Sequence, residues 1–366
     1  MRLVYPDWIT ADLPGIGGTF KATAEDFLVE EIPSYEPSGQ GDFLYLWVEK
    51  KDVAAREFQE ILSRAFEIST QEIGIAGLKD RAAITRQWVS LPKNRESLLG
   101  AFDHPAIMVL NRNYHSNKLK TGHLKGNRFA IRIRGTGPQA REHLPLLLKR
   151  IEEKGVPNAY DLQRFGRNNE TWTTGWDLLK GSPSRFVKPW LRRLALSALQ
   201  SGVFNAYLAE RMTEGLLHKV IPGEVLGKSP AGGLFNAPIE ESELPREQER
   251  MDQHEIVGAG PIYGWKLLPC KGPALEREQK LLEIFSLKKE DFFKERKLME
   301  GTRRRNVIYP RIEVLGWEGS DVQLRFELPS GSYATRVLGE LMHTDFAQKE
   351  PEQNADCSDG AEFPES

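Results

Sequence analysis

The chain is poor in cysteine, with two in 366 residues, Cys270 and Cys357, far apart and without metal-ligand spacing. That excludes a disulfide scaffold and a zinc-knuckle module, and it fits a reducing compartment. No apolar run is long enough for a membrane-spanning helix. Residues 1–7 lack the apolar core of a signal peptide, so a cytoplasmic setting is expected. No Walker pattern and no internal duplication occur. The net charge is only -2, which argues against a uniformly basic nucleic-acid binder, but that figure is an average. Residues 344–366 carry seven acids against one lysine, and without them the chain has 49 basic and 45 acidic residues. This end is rich in Pro, Glu, Asp, Ser and Gly and reads as a disordered acidic tail. Conversely, residues 104–141 contain no acid at all, but eight Lys or Arg and His104, His115 and His123. A positive stretch of that length attracts phosphate backbones.

Length sets one large or two medium domains, and 40% hydrophobic with 28% charged residues is an ordinary globular balance. The most informative stretch is 75–91, I-A-G-L-K-D-R-A-A-I-T-R-Q-W-V-S-L. A tight Gly77 precedes Lys79-Asp80, and residues 84–91 alternate as a strand. One carboxylate thus stands on a turn between a glycine and a strand, where a rigid scaffold can present it to a ligand. Standing alone, Asp80 would read as a turn cap or a partner for Arg81 or Arg86.

The spaced string G-x-K-D-x-x-A-x-T-x-Q (Gly77, Lys79, Asp80, Ala83, Thr85, Gln87) resembles the signature of the tRNA pseudouridine synthase D (TruD) family. Four more blocks are similar: E-D-F-x-V-x-E around Phe27, K-x-x-x-G-x-L-K-G-N-x-F over 118–129, V-P-N…Q-R-F-G over 156–166, and L-P-x-G-S-Y-A-T over 328–335. In the third of these, Ala159-Tyr160-Asp161 depart from the family's aromatic pair and glycine. The resemblance runs from about 17 to 341. It implies an α+β fold: a pseudouridine-synthase catalytic domain with a mixed, mainly antiparallel sheet flanked by helices, over 1–154 and 304–343. An α/β TRUD domain is then inserted at 155–303. It implies Asp80 as the catalytic nucleophile, Lys21 beside it, and Phe27, Asn127, Phe129 and Tyr333 as contacts to the target base. The substrate it implies is uridine 13 in the D-arm of tRNA, with no guide RNA; a monomer is expected.

The chemistry agrees with the residues. Uridine becomes pseudouridine when the C1′–N1 bond breaks, the base turns, and C5 joins C1′. The change is redox-neutral and loses no group, so it requires no cofactor or metal. One ionised carboxylate suffices as covalent nucleophile, attacking C6 or C1′, and a neighbouring cation favours the ionised form. Aromatic side chains suit an extruded base, and an amide such as Asn127 can both donate to and accept from its edge. Lys79, Lys118, Lys120, Lys125, Arg128, Gln163, Arg164, Arg303, Arg304 and Arg305 are the expected RNA contacts. Two other readings compete: an RNA-binding protein or chaperone that merely opens tRNA, and a glycosidase acting on a nucleoside. The first leaves the motif unexplained, and the second usually needs two carboxylates.

Shorter-range expectations are a strand, a turn at 24–26 and a second strand over 17–33; a strand at 43–48; and helices at 54–67 and 140–154, with Pro145 in the latter's first turn. Further on, a helix begins at 188–196, strands lie at 306–314 and 322–328, and a helix is capped near Ser332.

Overall fold

The computed structural model describes residues 3–181 and 187–344, so the expected acidic tail, apart from Thr344, lies outside the described residues. In chain order the elements are β1 (Phe27–Pro33), β2 (Phe43–Lys51), α1 (Ala55–Ala65), β3 (Gly74–Ile75), β4 (Ile84–Pro92), β5 (Ile107–His115), β6 (Leu124–Ile133) and α2 (Ala140–Lys154). There follow β7 (Val156–Pro157), α3 (Glu170–Lys180), α4 (Pro189–Thr213), β8 (Val225–Lys228), β9 (Leu234–Asn236), α5 (Leu244–Asp252), β10 (Ile256–Ile262), α6 (Gly272–Ile284) and α7 (Asp291–Lys294). Last come β11 (Thr302–Arg305), β12 (Val307–Ile308), β13 (Glu313–Glu318), β14 (Asp321–Pro329) and α8 (Ala334–Met342). The fold is α+β with mixed, mainly antiparallel sheets.

Two compact units divide the chain. One takes residues 16–144 and 310–331; the other takes those before 16, 145–309 and those after 331. The first unit is built on one sheet in the order β13-β14-β6-β1-β4-β2-β5, with β3 on β4. Only β1 and β4 run parallel in it. Alternation along β2 sends Leu44, Leu46 and Val48 to one face, where they bury Phe58, Leu62 and Phe66 of the α1 segment. Burying a side chain of this size contributes about 1.5–3 kcal/mol. On the opposite face Tyr45, Trp88, Ala76 and Leu119 cluster.

The second unit has its own core around α4, whose Leu199 and Val203 pack with Trp172, Phe285 and Phe292. It carries the sheet β11-β10-β8-β9 and the short pair β12-β7. The glycine-rich run near 258 forms β10, buried along its whole length. A Cβ on Gly260 would come within 2.7 Å of the Tyr207 ring, so the glycine permits that close packing.

Three local expectations are corrected. The segment before Ala24 is not a strand; only Thr19 bridges to Arg134, because Gly17, Gly18 and Lys21 all take positive φ. Pro145 stands inside α2, beyond its first turn. The strand expected at 306–314 is split into β12 and β13, with Pro310, which has no N–H to donate, between them.

Candidate active site

Strand register places the site. Glu31 pairs with Asn127, Val29 with both Phe129 and Thr85, and Thr85 with Lys50. Paired side chains share a face and residues two apart repeat it. Phe27, Glu31, Lys50, Thr85, Gln87, Asn127 and Phe129 therefore lie on one face of the sheet, the face that α1 covers at its β2 end. Gly126, next to Asn127, allows β14 to approach β6, since a Cβ there would strike the Leu328 carbonyl oxygen.

The loop between β3 and β4 is tied to this face. Lys79 Nζ donates to Glu31 Oε2 at 2.9 Å, with both side chains buried. Burial holds the Glu31 carboxyl above its ordinary range, opposed by the Lys79 charge. Lys50 Nζ donates to the Val53 carbonyl at 2.7 Å and to the Asp80 carbonyl at 2.9 Å. The Asp80 side chain is left half-exposed, and its Oδ2 accepts from Lys21 Nζ at 3.0 Å. Lys21 reaches it from a left-handed backbone, φ 58°, an unusual conformation for a side chain of this length. Its ammonium also lies 4.2 Å from the centre of the Phe27 ring. Phe27 meets Phe129 edge-on at 6.0 Å, and Phe129 stacks on Phe326 at 5.5 Å. Asn127 Oδ1, Thr85 Oγ1 and Gln87 Oε1 are buried with no hydrogen-bond partner among the described residues.

The structure thus brings Lys21, Phe27, Asp80, Asn127 and Phe129 to one sheet face. Tyr333 belongs to the second unit, where its ring stands 6.0 Å from Tyr160, and burial raises its phenol pKa. In the same unit Arg304 packs 4.1 Å from the centre of the Tyr160 ring and donates to the Asn158 carbonyl at 2.8 Å.

The expected RNA contacts divide sharply. Lys120, Lys125 and Gln163 are exposed. Lys118 is partly buried, with its ammonium on the Gln71 carbonyl. Arg164 and Arg305 are partly exposed; Arg305 donates to the Lys228 carbonyl, and Arg164 to the Ser197 hydroxyl. Lys79 is enclosed with Glu31, and the Arg303 guanidinium is fully buried on Glu278, so neither offers a cation to a phosphate. Arg128 lies on the opposite face from Asn127. It stands there in a cross-strand row, Glu49–Arg86–Glu30–Arg128–Glu327, with Arg128 contacts of 2.8 Å to Glu30 and 2.7 Å to Glu327.

Sequence reasoning overlooked Lys50 and Glu31. A signal for both was present: each stands at a position where its strand's apolar side chains face inward, Lys50 after Leu44, Leu46 and Val48, and Glu31 after Phe27 and Val29. An ionisable residue in that phase is a candidate for a buried, paired role.

The family model for tRNA pseudouridine synthase D (TruD) matches residues 6–191 and 184–341. A tRNA pseudouridine synthase D of Thermus thermophilus is 40% identical over 343 residues, 92% of each chain. One from Anaeromyxobacter sp. (strain Fw109-5) is 39% identical, covering 91% of this chain and 95% of the relative. The crystal structure of a Methanosarcina mazei protein, described under the same family name, superposes with a TM-score of 0.74 at 23% identity. It covers 93% of this chain and 97% of the other, a likeness of fold. With the motif's lysine and aspartate on a single sheet face, and relatives matched along nearly their full length, this chain belongs to the tRNA pseudouridine synthase D (TruD) family.

Proposed function

We propose that this protein isomerises uridine to pseudouridine in tRNA, at position 13 of the D-arm, through a covalent adduct on Asp80. The observation that carries this reading is the Lys21–Asp80 pair at 3.0 Å on the face that holds Phe27, Phe129 and Asn127. The Asp80 carboxylate forms a bond to the nucleoside, either at C1′ as the C1′–N1 bond breaks or by addition at C6 before that bond breaks. After the base turns, C5 joins C1′, the C5 proton leaves, N1 gains one, and the Asp80 carboxylate is released. Lys21 pairs with the carboxylate and holds it beside the Phe27 ring.

Uracil presents one N–H donor between two carbonyls. Asn127 matches it, because its buried Oδ1 is available to accept while its amide donates. Phe27 and Phe129 supply the apolar floor. A base in a duplex must be extruded to reach such a site. Lys118, Lys120, Lys125, Gln163, Arg164, Arg304 and Arg305 are the proposed RNA contacts. We take 1–154 with 304–343 as the catalytic part and 155–303 as the insert, acting as a cytoplasmic monomer on tRNA without a guide RNA.

The test is incubation with unmodified tRNA transcripts and mapping of pseudouridine by carbodiimide treatment and primer extension, alongside Asp80→Ala. A new stop adjacent to position 13, on its 3′ side, that is lost in the variant is expected. Product from Asp80→Ala would overturn the nucleophile, modification elsewhere would overturn the position, and tRNA binding without product in the wild type would favour a chaperone.

A further inference from the structure

Lys50 is the most buried ammonium of the first unit, 1% exposed at the end of the inward β2 row Leu44, Leu46 and Val48. Burying a lysine is unfavourable unless its charge and donors are used. Packing alone would favour a fourth aliphatic residue there. Both donor contacts go to backbone carbonyls, Val53 at the start of the α1 segment and Asp80 itself. A second tie runs beside them, from the Asp52 amide to the Ala83 carbonyl at 3.2 Å. The end of β2 thus holds the Asp80 loop at both its acidic residue and its exit. Lys21 engages the same residue from the other side, through the carboxylate.

We propose that Lys50 is a positioning residue: by donating a charge-assisted hydrogen bond to the Asp80 carbonyl it fixes the orientation of the Asp80 carboxylate. This rests on the reading of Asp80 as nucleophile. Lys50 touches the backbone of Asp80 and acts through it.

The charge has a defined pH range. The groups facing Lys50 are Asp80 and Lys79 from the loop, Asp52 just past β2, and Glu57 of α1. Burial outweighs the three acids and brings its pKa down from 10.5 to about 8. Lys50 is therefore cationic at neutral pH and discharges as the pH rises through about 8.

The experiment compares wild type, Lys50→Met, Lys50→Gln and Lys50→Arg. It measures single-turnover pseudouridine formation from pH 7 to 9, tRNA affinity, and hydrogen exchange of the peptide spanning 77–84. Lys50→Met is expected to bind tRNA within about twofold of wild type and to react at least about tenfold more slowly at pH 7. The gap should narrow toward pH 9, where wild-type Lys50 has lost its charge. A substrate ionisation would slow both proteins alike and leave the gap unchanged. Lys50→Arg, which keeps the charge, should recover part of the rate. Exchange in 77–84 should rise severalfold in Lys50→Met while the α1 peptide is unchanged. If Lys50→Met fails to fold, Lys50→Gln, which is uncharged and one bond too short to reach the Asp80 carbonyl from the same position, is read in the same way. A wild-type rate in a folded neutral variant, a gap constant with pH, or unchanged exchange in 77–84 would each overturn the proposal. Should the wild type itself make no pseudouridine, the functional reading fails, and the exchange comparison still decides whether Lys50 holds the loop.

Discussion

Lys21 Nζ stands 3.0 Å from Asp80 Oδ2 and 4.2 Å from the centre of the Phe27 ring, so one ammonium joins the candidate nucleophile to the aromatic floor. The pair is open to solvent on the Asp80 side, and its contribution to stability is correspondingly small. Lys21→Ala is expected to change the unfolding free energy by about 0.5 kcal/mol or less while slowing pseudouridine formation about 10–100-fold. Because φ is 58° here, Lys21→Gly should be about 1 kcal/mol more stable than Lys21→Ala. Urea unfolding and single-turnover rates for the two variants separate these effects; equal activity of Lys21→Ala and wild type would remove Lys21 from the site.

The Lys79–Glu31 pair is enclosed, and removing one partner strands the other. Lys79→Met should lower stability by about 3–5 kcal/mol. The double variant Lys79→Met with Glu31→Met should regain most of that loss, since two apolar groups leave no orphaned charge. Denaturant midpoints across the double-mutant cycle check this. A loss under about 1 kcal/mol in Lys79→Met would mean that the loop is anchored elsewhere.

Cations on the surface and cations in the interior should behave oppositely toward tRNA. Lys120→Glu with Lys125→Glu is expected to weaken tRNA binding and reduce the slope of log affinity against log salt by about one for each phosphate that is no longer neutralised. Arg303→Met should leave that slope unchanged and instead destabilise the fold by about 3–5 kcal/mol, because Glu278 is left buried without its partner. A salt titration of binding for both variants decides the matter.

In the second unit, burial together with the charges of Lys154, His254 and Arg211 brings the His218 pKa from 6.5 down to about 4, against the opposing pull of Asp252. The folded state therefore refuses a proton that the unfolded chain accepts. This contribution to stability is complete above pH 6.5 and is lost as the pH falls from 6.5 toward 4. The loss should be about 1–2 kcal/mol once the partial exposure of the ring is allowed for. Urea unfolding at pH 7, 6 and 5 should show this slope in the wild type and a shallower one in His218→Phe; identical slopes would assign the effect to other groups.

Much of the site was readable from residue order, because it is local. The turn before Asp80, the strand after it and the α1 segment follow from glycine placement and from apolar spacing of two or three to four residues. What could not be read is what neighbouring strands supply. The acid-free segment looks uniformly basic along the chain, yet in space Arg112 meets Glu96, Arg128 meets Glu30 and Glu327, Arg132 meets Glu318, and Arg134 meets Asp26. Arg128 and Asn127, adjacent in sequence, point to opposite faces. Arg303 was expected at the surface as part of a run of three arginines, but its guanidinium is buried on Glu278 while Arg304 and Arg305 remain partly exposed. Lys21 offered no signal in its neighbours that it would take a left-handed backbone.

Strand β14, which flanks β6 and sets Phe326 against Phe129, is contributed by Asp321–Pro329, long after Phe129 in the chain. Loop closure over that separation must precede completion of the sheet. A growing polypeptide therefore cannot finish the floor beneath Asp80 until the second unit's residues 145–309 have all been made, and a chain that stops before Asp321 would carry the entire Asp80 motif without the strand that backs it.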